Sequence, residues 1–131
     1  MRTQRINPRA EYRLQQSQRV NDSASLASQF PQLKSFMAKL SYFEAESLHK
    51  LNEVKYTANV QHAKSVVRFL CPASDCVGGD FDLSEDVAKA VAARRKLATG
   101  EARCKGWHKT PKLERVPCEV LLHYKLNLDY V

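Results

Sequence analysis

Glycine is scarce in this sequence, and long apolar runs are missing. The chain has four glycines among its 131 residues, and only Gly78 and Gly79 are adjacent. This pair precedes a predicted helix, but it lacks the wider glycine spacing and the following lysine of a phosphate-binding P-loop. No apolar run approaches the roughly 18 residues of a membrane-spanning helix. We therefore expect neither a P-loop nor a membrane span.

The amino-terminal residues lack the features of an export signal. Residues 1–5 are basic, but no apolar stretch follows them, so we expect no secretory signal. A chain without one is expected in the cytoplasm, where thiols stay reduced or bind metal ions. We expect no membrane partner.

Residue patterns typical of catalysis are missing as well. No Ser/His/Asp or Cys/His order indicates an activated nucleophile. Asp75, Asp80 and Asp82 lie close together, but their spacing does not match an EF-hand calcium loop, which also needs a glutamate further along. Turn formation and helix capping account for these carboxylates. We therefore expect a protein that is not an enzyme.

What the sequence does contain is a set of four cysteines: Cys71, Cys76, Cys104 and Cys118. The first two have Cys-x4-Cys spacing, at the wide end of a usual zinc knuckle, and Pro72 and Gly78–Gly79 supply tight turns around them. Four thiolates close the tetrahedral shell of Zn²⁺. The sequence therefore predicts one structural Zn²⁺ site with these four ligands.

Other uses of these cysteines stay open. In an exported chain they would form two disulfides, and the spacing is looser than that of a double Cys-x2-Cys motif. A catalytic zinc keeps an open position and often has histidine ligands. His62, His108 and His123 are interpreted as surface residues in a turn, a loop and a polar strand face. His108 is the substitute ligand if one thiol does not bind.

Alternating apolar and polar residues predict strands over residues 36–42, 54–60 and 65–71, a short strand at 102–106 and a long, central strand at 116–130. The long strand is expected to place Cys118 at one end of its buried face, where Cys71 and Cys104 meet it from neighbouring strands. A helix is predicted from about Asp82, with an apolar stripe that includes Leu97 and an end at Thr99–Gly100. The fold class that follows is α+β, with an antiparallel sheet of about five strands and one main helix.

The net charge of +7 is unevenly distributed. Residues 1–20 contain five arginines and one acidic residue, and residues 94–115 contain eight cations and two acidic residues. Residues 1–24 lack a sustained apolar period, so they are interpreted as a flexible basic tail. Residues 25–131 are interpreted as the zinc-binding α+β domain.

The second basic segment surrounds the third cysteine with cations and one aromatic residue. Its candidate nucleic-acid-binding residues are Arg94, Arg95, Lys96, Arg103, Lys105, Trp107, Lys109, Lys112 and Arg115. Lysine and arginine gain affinity for nucleic acid by releasing condensed counterions, and a tryptophan can stack on a base. We expect a zinc-stabilised module that binds RNA, the ribosome or DNA. The alternative is a protein–protein adaptor or regulatory module with a purely structural zinc, its cations forming a solvated surface.

The segment from Cys71-Pro72 through Cys76-Val77-Gly78-Gly79-Asp80-Phe81-Asp82-Leu83-Ser84, with Val91-Ala92-Ala93-Arg94 and Cys104-Lys105-Gly106-Trp107, resembles a group of small uncharacterised bacterial proteins. The resemblance runs from about Ser25 to the carboxyl terminus. It implies a bacterial origin and carries no activity with it.

Overall fold

The computed structural model describes residues 8–44, 46–73, 75–112 and 114–131. In chain order its elements are α1 (Pro8–Asn21), α2 (Leu26–Gln29), β1 (Leu33–Phe43), β2 (Lys50–Ala58), β3 (Arg68–Leu70), β4 (Asp80–Asp82), α3 (Ser84–Ala92), β5 (Leu97–Arg103), β6 (Trp107–Lys109), β7 (Arg115–Pro117) and β8 (Leu121–Tyr130). The predicted α+β class is confirmed. No helix among these residues is long and apolar enough to cross a membrane.

The main sheet is antiparallel, with the strand order β2-β1-β8-β5. Alternation of apolar and polar residues buries one of its faces: Phe36, Leu40 and Tyr42 on β1 lie opposite or beside Leu122 and Leu126 on β8 in the core. The greater part of the long alternating segment at the end of the chain forms a central strand, β8, between β1 and β5.

Helix α3 covers the buried face of this sheet through Val87, Ala90 and Val91. Asp82 accepts a hydrogen bond at 2.9 Å from the backbone N–H of Ser84, the first helical residue. The carboxylate therefore satisfies one of the free amide groups at the start of the helix, as the sequence predicts.

The predicted end of this helix at Thr99–Gly100 is wrong. The helix ends at Ala92, Arg94 has a left-handed φ of 51°, and residues 97–103 form β5 instead. Ala98 and Gly100 lie opposite Leu126 and Tyr124 of β8. Pairing with a long central strand thus overrides the helix propensity of this segment.

The prediction of about five strands in one sheet is not confirmed. The main sheet has four strands, and β3–β4 and β6–β7 form two separate two-stranded sheets. The predicted strand over residues 65–71 is reduced to Arg68–Leu70, which pairs with β4. The predicted strand over residues 116–130 is interrupted between β7 and β8, where Glu119 has a left-handed φ of 56°.

Helix α1 lies within the segment interpreted as a flexible tail. It has no buried residue, but it contacts the rest of the protein through polar groups. The hydroxyl of Tyr12 donates to Asp80 Oδ1 at 3.1 Å and accepts from Arg68 Nη2 at 3.4 Å. Residues 1–7 lie outside the described residues, and the division of the chain at residue 24 stays a prediction.

Candidate metal centre

The four cysteines lie together at one end of the main sheet. Their Sγ atoms are all within 4.8 Å of one another. Cys71 Sγ and Cys118 Sγ are 3.7 Å apart, and Cys76 Sγ and Cys104 Sγ are 3.6 Å apart. A tetrahedron with metal–sulfur bonds of about 2.3 Å has sulfur–sulfur edges of about 3.8 Å. All four are free thiols, and this cysteine cluster has the size and donor set to hold one metal ion.

Four separate segments bring the sulfurs to this point. Cys71 directly follows β3, Cys104 directly follows β5 and Cys118 directly follows β7, while Cys76 lies in the turn before β4. Backbone hydrogen bonds hold the segments together: Cys104 N–H donates to Val120 O at 2.8 Å, and Cys118 N–H donates to Gly106 O at 3.0 Å. Cys118 therefore lies in the connection between two strands and not within one long strand.

Two glycines pack directly against the sulfurs. A Cβ added to Gly79 would overlap Cys76 Sγ and lie 2.5 Å from Cys104 Sγ. A Cβ added to Gly106 would lie 2.6 Å from Cys76 Sγ. Gly78 has a different role, since its φ of 69° is the left-handed conformation that glycine favours. The sequence pattern indicated turns at Gly78–Gly79 but no role for Gly106. The short Cys104-Lys105-Gly106 spacing was the signal that could have identified it.

Backbone amides and neighbouring thiols stabilise one thiolate in the cluster. A hydrogen bond from the Cys71 thiol, together with the Gly106 N–H at 3.4 Å, lowers the pKa of Cys104 to about 6. Burial and the interaction with Cys104 raise the pKa of Cys76 to about 12, and the hydrogen bond to Cys104 and burial raise the pKa of Cys71. Because repulsion opposes further ionisation, four thiolates need a cation among them.

A buried tyrosine and a salt-bridged pair of strands lie near the cluster. Tyr42 is buried beside Cys71, and burial together with this thiol raises the pKa of its phenol to about 12. Arg68 forms salt bridges to Asp80 and, at 3.1 Å, to Asp82 across β3–β4. Its charge is therefore already matched by these two carboxylates.

The structure divides the basic segment into two groups. Arg94, Arg95 and Lys96 follow α3 and precede β5; we call them the helix-end cations. The metal-side cations are the last residue of β5 and four residues that follow it, in the segments that carry Cys104 and Cys118: Arg103, Lys105, Lys109, Lys112 and Arg115. β5 is seven residues long, so at about 3.3 Å per residue its ends are about 20 Å apart. The segment is therefore not one continuous binding surface.

All eight cations are exposed, and none of them has an ion-pair partner among the described residues. Trp107 is half-buried, and the guanidinium of Arg115 lies 4.1 Å from the centre of its ring. One face of this indole is therefore covered by a cation and is not free to stack on a base.

None of the candidate histidines belongs to the cysteine cluster in the described structure. His62 is exposed in a turn, and His123 is exposed on β8, where its Nε2 lies 3.1 Å from Glu101 Oε2. His108 lies on β6 and not in a loop. Its Nδ1 atom is buried and has no hydrogen-bond partner among the described residues.

No protein-family model, no curated protein and no solved structure matches this chain. The resemblance to the group of small bacterial proteins stays a prediction. Any function must therefore be argued from the site itself.

Proposed function

We propose that this protein is a zinc-stabilised module that binds nucleic acid, either RNA (free or in the ribosome) or DNA, through its metal-side cations. One observation carries this proposal: the segments that hold the sulfurs also hold the cations. Arg103 and Lys105 flank Cys104, and the strand that begins with Arg115 ends one residue before Cys118. A bound ion would therefore fix these charges in a rigid arrangement.

The proposed ion is Zn²⁺ in a structural role. Tetrahedral sulfur sites select zinc or iron, and zinc has no redox chemistry of its own. Four thiolates fill its coordination shell and leave no position for water or substrate, which supports a role other than catalysis. A reducing, cytoplasmic setting would keep the four thiols available for the metal.

The charge pattern of β6–β7 supports an anionic ligand. Lys109 lies directly opposite Arg115 in this two-stranded sheet. Like charges at directly opposite positions destabilise a strand pair, and neither cation has an acidic partner among the described residues. A phosphate bound near these two cations would offset the repulsion and release its own counterions.

The test compares two double variants with the same change in charge. Lys105→Glu/Lys109→Glu alters the metal-side cations, and Arg95→Glu/Lys96→Glu alters the helix-end cations about 20 Å away. We expect the first variant to bind a labelled RNA or DNA oligonucleotide at least tenfold more weakly. The dependence of its affinity on salt should also become weaker. For a single strand, the plot of log affinity against log salt concentration should be shallower by about 1.4.

Metal content and thermal melting of both variants serve as the folding control. An equal loss of affinity in both variants would mean that only the overall charge matters. Unchanged affinity in the first variant would exclude the proposed site.

A protein–protein adaptor is the second candidate, and one observation favours it. β2 is an edge strand of the main sheet, and Leu51 and Val54 on it are 43% and 38% exposed. An unpaired edge with apolar side chains can accept a strand from another protein. Such an association would tolerate salt, which distinguishes it from binding through the cations.

A further inference from the structure

The face of the main sheet opposite α3 is exposed, and we call it the open face. It carries three lysines on neighbouring strands. Lys39 on β1 lies directly opposite Lys55 on β2 and directly opposite Lys125 on β8. All three are exposed. With neighbouring strands about 4.8 Å apart, this lysine row is about 10 Å wide.

Folding stability does not explain the lysine row. Like charges at directly opposite positions destabilise a sheet. A lysine on an edge strand prevents edge-to-edge association, which accounts for Lys55, but Lys39 and Lys125 lie on the two inner strands. Glu53 pairs with Lys39 at 3.0 Å and also contacts Lys50. Lys55 and Lys125 have no acidic partner in the part of the chain that the structure describes.

Hydroxyl groups and aromatic rings lie beside the row. A shallow cavity of about 480 Å³ is lined by Lys39 and Lys125 together with Ser41, Thr99 and His123. The row is therefore adjacent to further groups that can donate hydrogen bonds to a phosphate or a sugar.

The ring of Phe43, half-buried, lies 5.0 Å from the ring of His123, centre to centre. Glu101 is the acidic residue at this cavity, and it already pairs with His123. Arg103 lies opposite Leu121, two residues beyond Glu101 on the same face, and so connects the open face to the metal-side cations.

We propose that the open face binds single-stranded nucleic acid. The phosphates contact the lysine row, an unpaired base stacks on Phe43 beside His123, and the strand continues past Arg103 to the metal-side cations. A base can stack on a protein ring only when it is not enclosed in a duplex, which is why a sheet with exposed aromatics and flanking cations favours single strands. This inference rests on the proposed function and specifies its ligand.

The experiment measures the affinity of the zinc-loaded full chain for a labelled single strand of about 12 nucleotides and for the matching duplex. Lys39→Gln/Lys125→Gln removes two cations of the row. Lys89→Gln/Arg95→Gln removes two cations on the side of the sheet that α3 covers, and serves as the matched control. We expect about a tenfold loss for the first variant and less than about a twofold loss for the control.

Phe43→Leu keeps an apolar side chain and removes the aromatic ring. We expect it to weaken single-strand binding at least about fivefold and to leave the salt dependence unchanged, because stacking involves no counterion release. If this variant melts at a lower temperature, the lysine variant decides the question.

The outcomes separate the two proposals. If Lys105→Glu/Lys109→Glu loses affinity while Lys39→Gln/Lys125→Gln binds like the wild type, the open-face site is wrong and the metal-side site stands. If the wild type binds neither oligonucleotide, the proposed function itself fails. If the duplex binds as tightly as the single strand, the ligand class proposed for the open face is wrong.

Discussion

Gly79 and Gly106 show how closely the backbone approaches the sulfurs. Both lack a side chain because the space that a Cβ would occupy is filled by Cys76 Sγ and, at Gly79, by Cys104 Sγ as well. Gly106 also donates its N–H to Cys104 Sγ at 3.4 Å. A glycine at such a position therefore serves the metal centre twice, through close packing and through an amide hydrogen bond.

Gly106→Ala should weaken metal binding and destabilise the fold. The added Cβ would lie 2.6 Å from Cys76 Sγ and 2.7 Å from Gly79 Cα. The overlap with Gly79 Cα can be relieved only by a shift of the backbone, which costs free energy. We expect a loss of about 1–3 kcal/mol in the free energy of unfolding. Chemical denaturation and competition with a chromophoric chelator measure the two effects.

The control for this variant is Gly78→Asn. A Cβ added to Gly78 would have no atom within 4 Å, and the left-handed backbone there is one that asparagine tolerates. If Gly106→Ala held metal as tightly as Gly78→Asn, the close packing of the glycines would have no role in the site.

At the scale of the elements, α1 differs from α3 in how it is held. α3 is attached through buried apolar residues, whereas α1 has none. The described polar contacts of α1 include the Tyr12 hydroxyl with Asp80 and Arg68, and a hydrogen bond from Arg9 to Ala73 O at 3.3 Å. A helix attached in this way opens at a small free-energy cost.

Tyr12→Phe should release α1 without affecting the main sheet. The change removes a hydrogen bond to a charged carboxylate, which contributes about 1.5–3 kcal/mol. We expect faster hydrogen exchange of the amides in residues 8–21 and unchanged exchange in β1 and β8. Equal protection of α1 in the variant and the wild type would show that other contacts hold the helix.

A helix or strand was predictable from the sequence where one of its faces is buried. It was less predictable where pairing with another strand determines the structure. The alternation of β1 and β8 and the apolar stripe of α3 are local patterns. The sequence around Gly100, however, predicts a helix end. Only the position of Tyr124 explains why a small residue is needed there, because a Cβ on Gly100 would overlap the tyrosine hydroxyl. Neither the strand partner of β5 nor the short two-stranded sheets can be deduced from a local period.

The candidate site was likewise predictable from the sequence only in part. The four cysteines were grouped correctly because so few residue types offer a soft ligand. The alternation also put Lys39 and Lys55 on exposed faces, but only the strand register shows that they are opposite each other and Lys125. The sequence did not reveal that the basic segment consists of two separate groups of cations, because this separation depends on where α3 ends.

Over the whole molecule, the cysteine cluster connects two short sheets to one end of the main sheet. β3–β4 and β6–β7 are separate two-stranded sheets, and a two-stranded sheet is only marginally stable alone. The main sheet and α3 share an apolar core that includes Phe36, Leu122 and Val87. Phe81 of β4 also belongs to this core, whereas β6 and β7 contribute no residue to it.

Removing the metal should therefore unfold one end of the protein first. We expect a strong chelator to remove protection from hydrogen exchange in β3, β4, β6 and β7, with β1 and β8 losing it last. Added Zn²⁺ should restore the signal, and acid should mimic the chelator because thiolate ligands must be deprotonated. Uniform loss of protection would mean that the domain has one cooperative unit, and no loss would mean that the cluster does not need a metal.

The burial of the cluster also governs how quickly a bound ion could leave. Cys71, Cys76 and Cys104 are only 3–4% exposed, whereas Cys118 is partly exposed, so a chelating molecule can approach the ion only from the side of Cys118. Release of the ion from the three buried sulfurs still requires the surrounding turns to separate for a moment. The residence time of the ion would thus be set by how often these turns open, and it would not depend on how strongly the competing chelator binds.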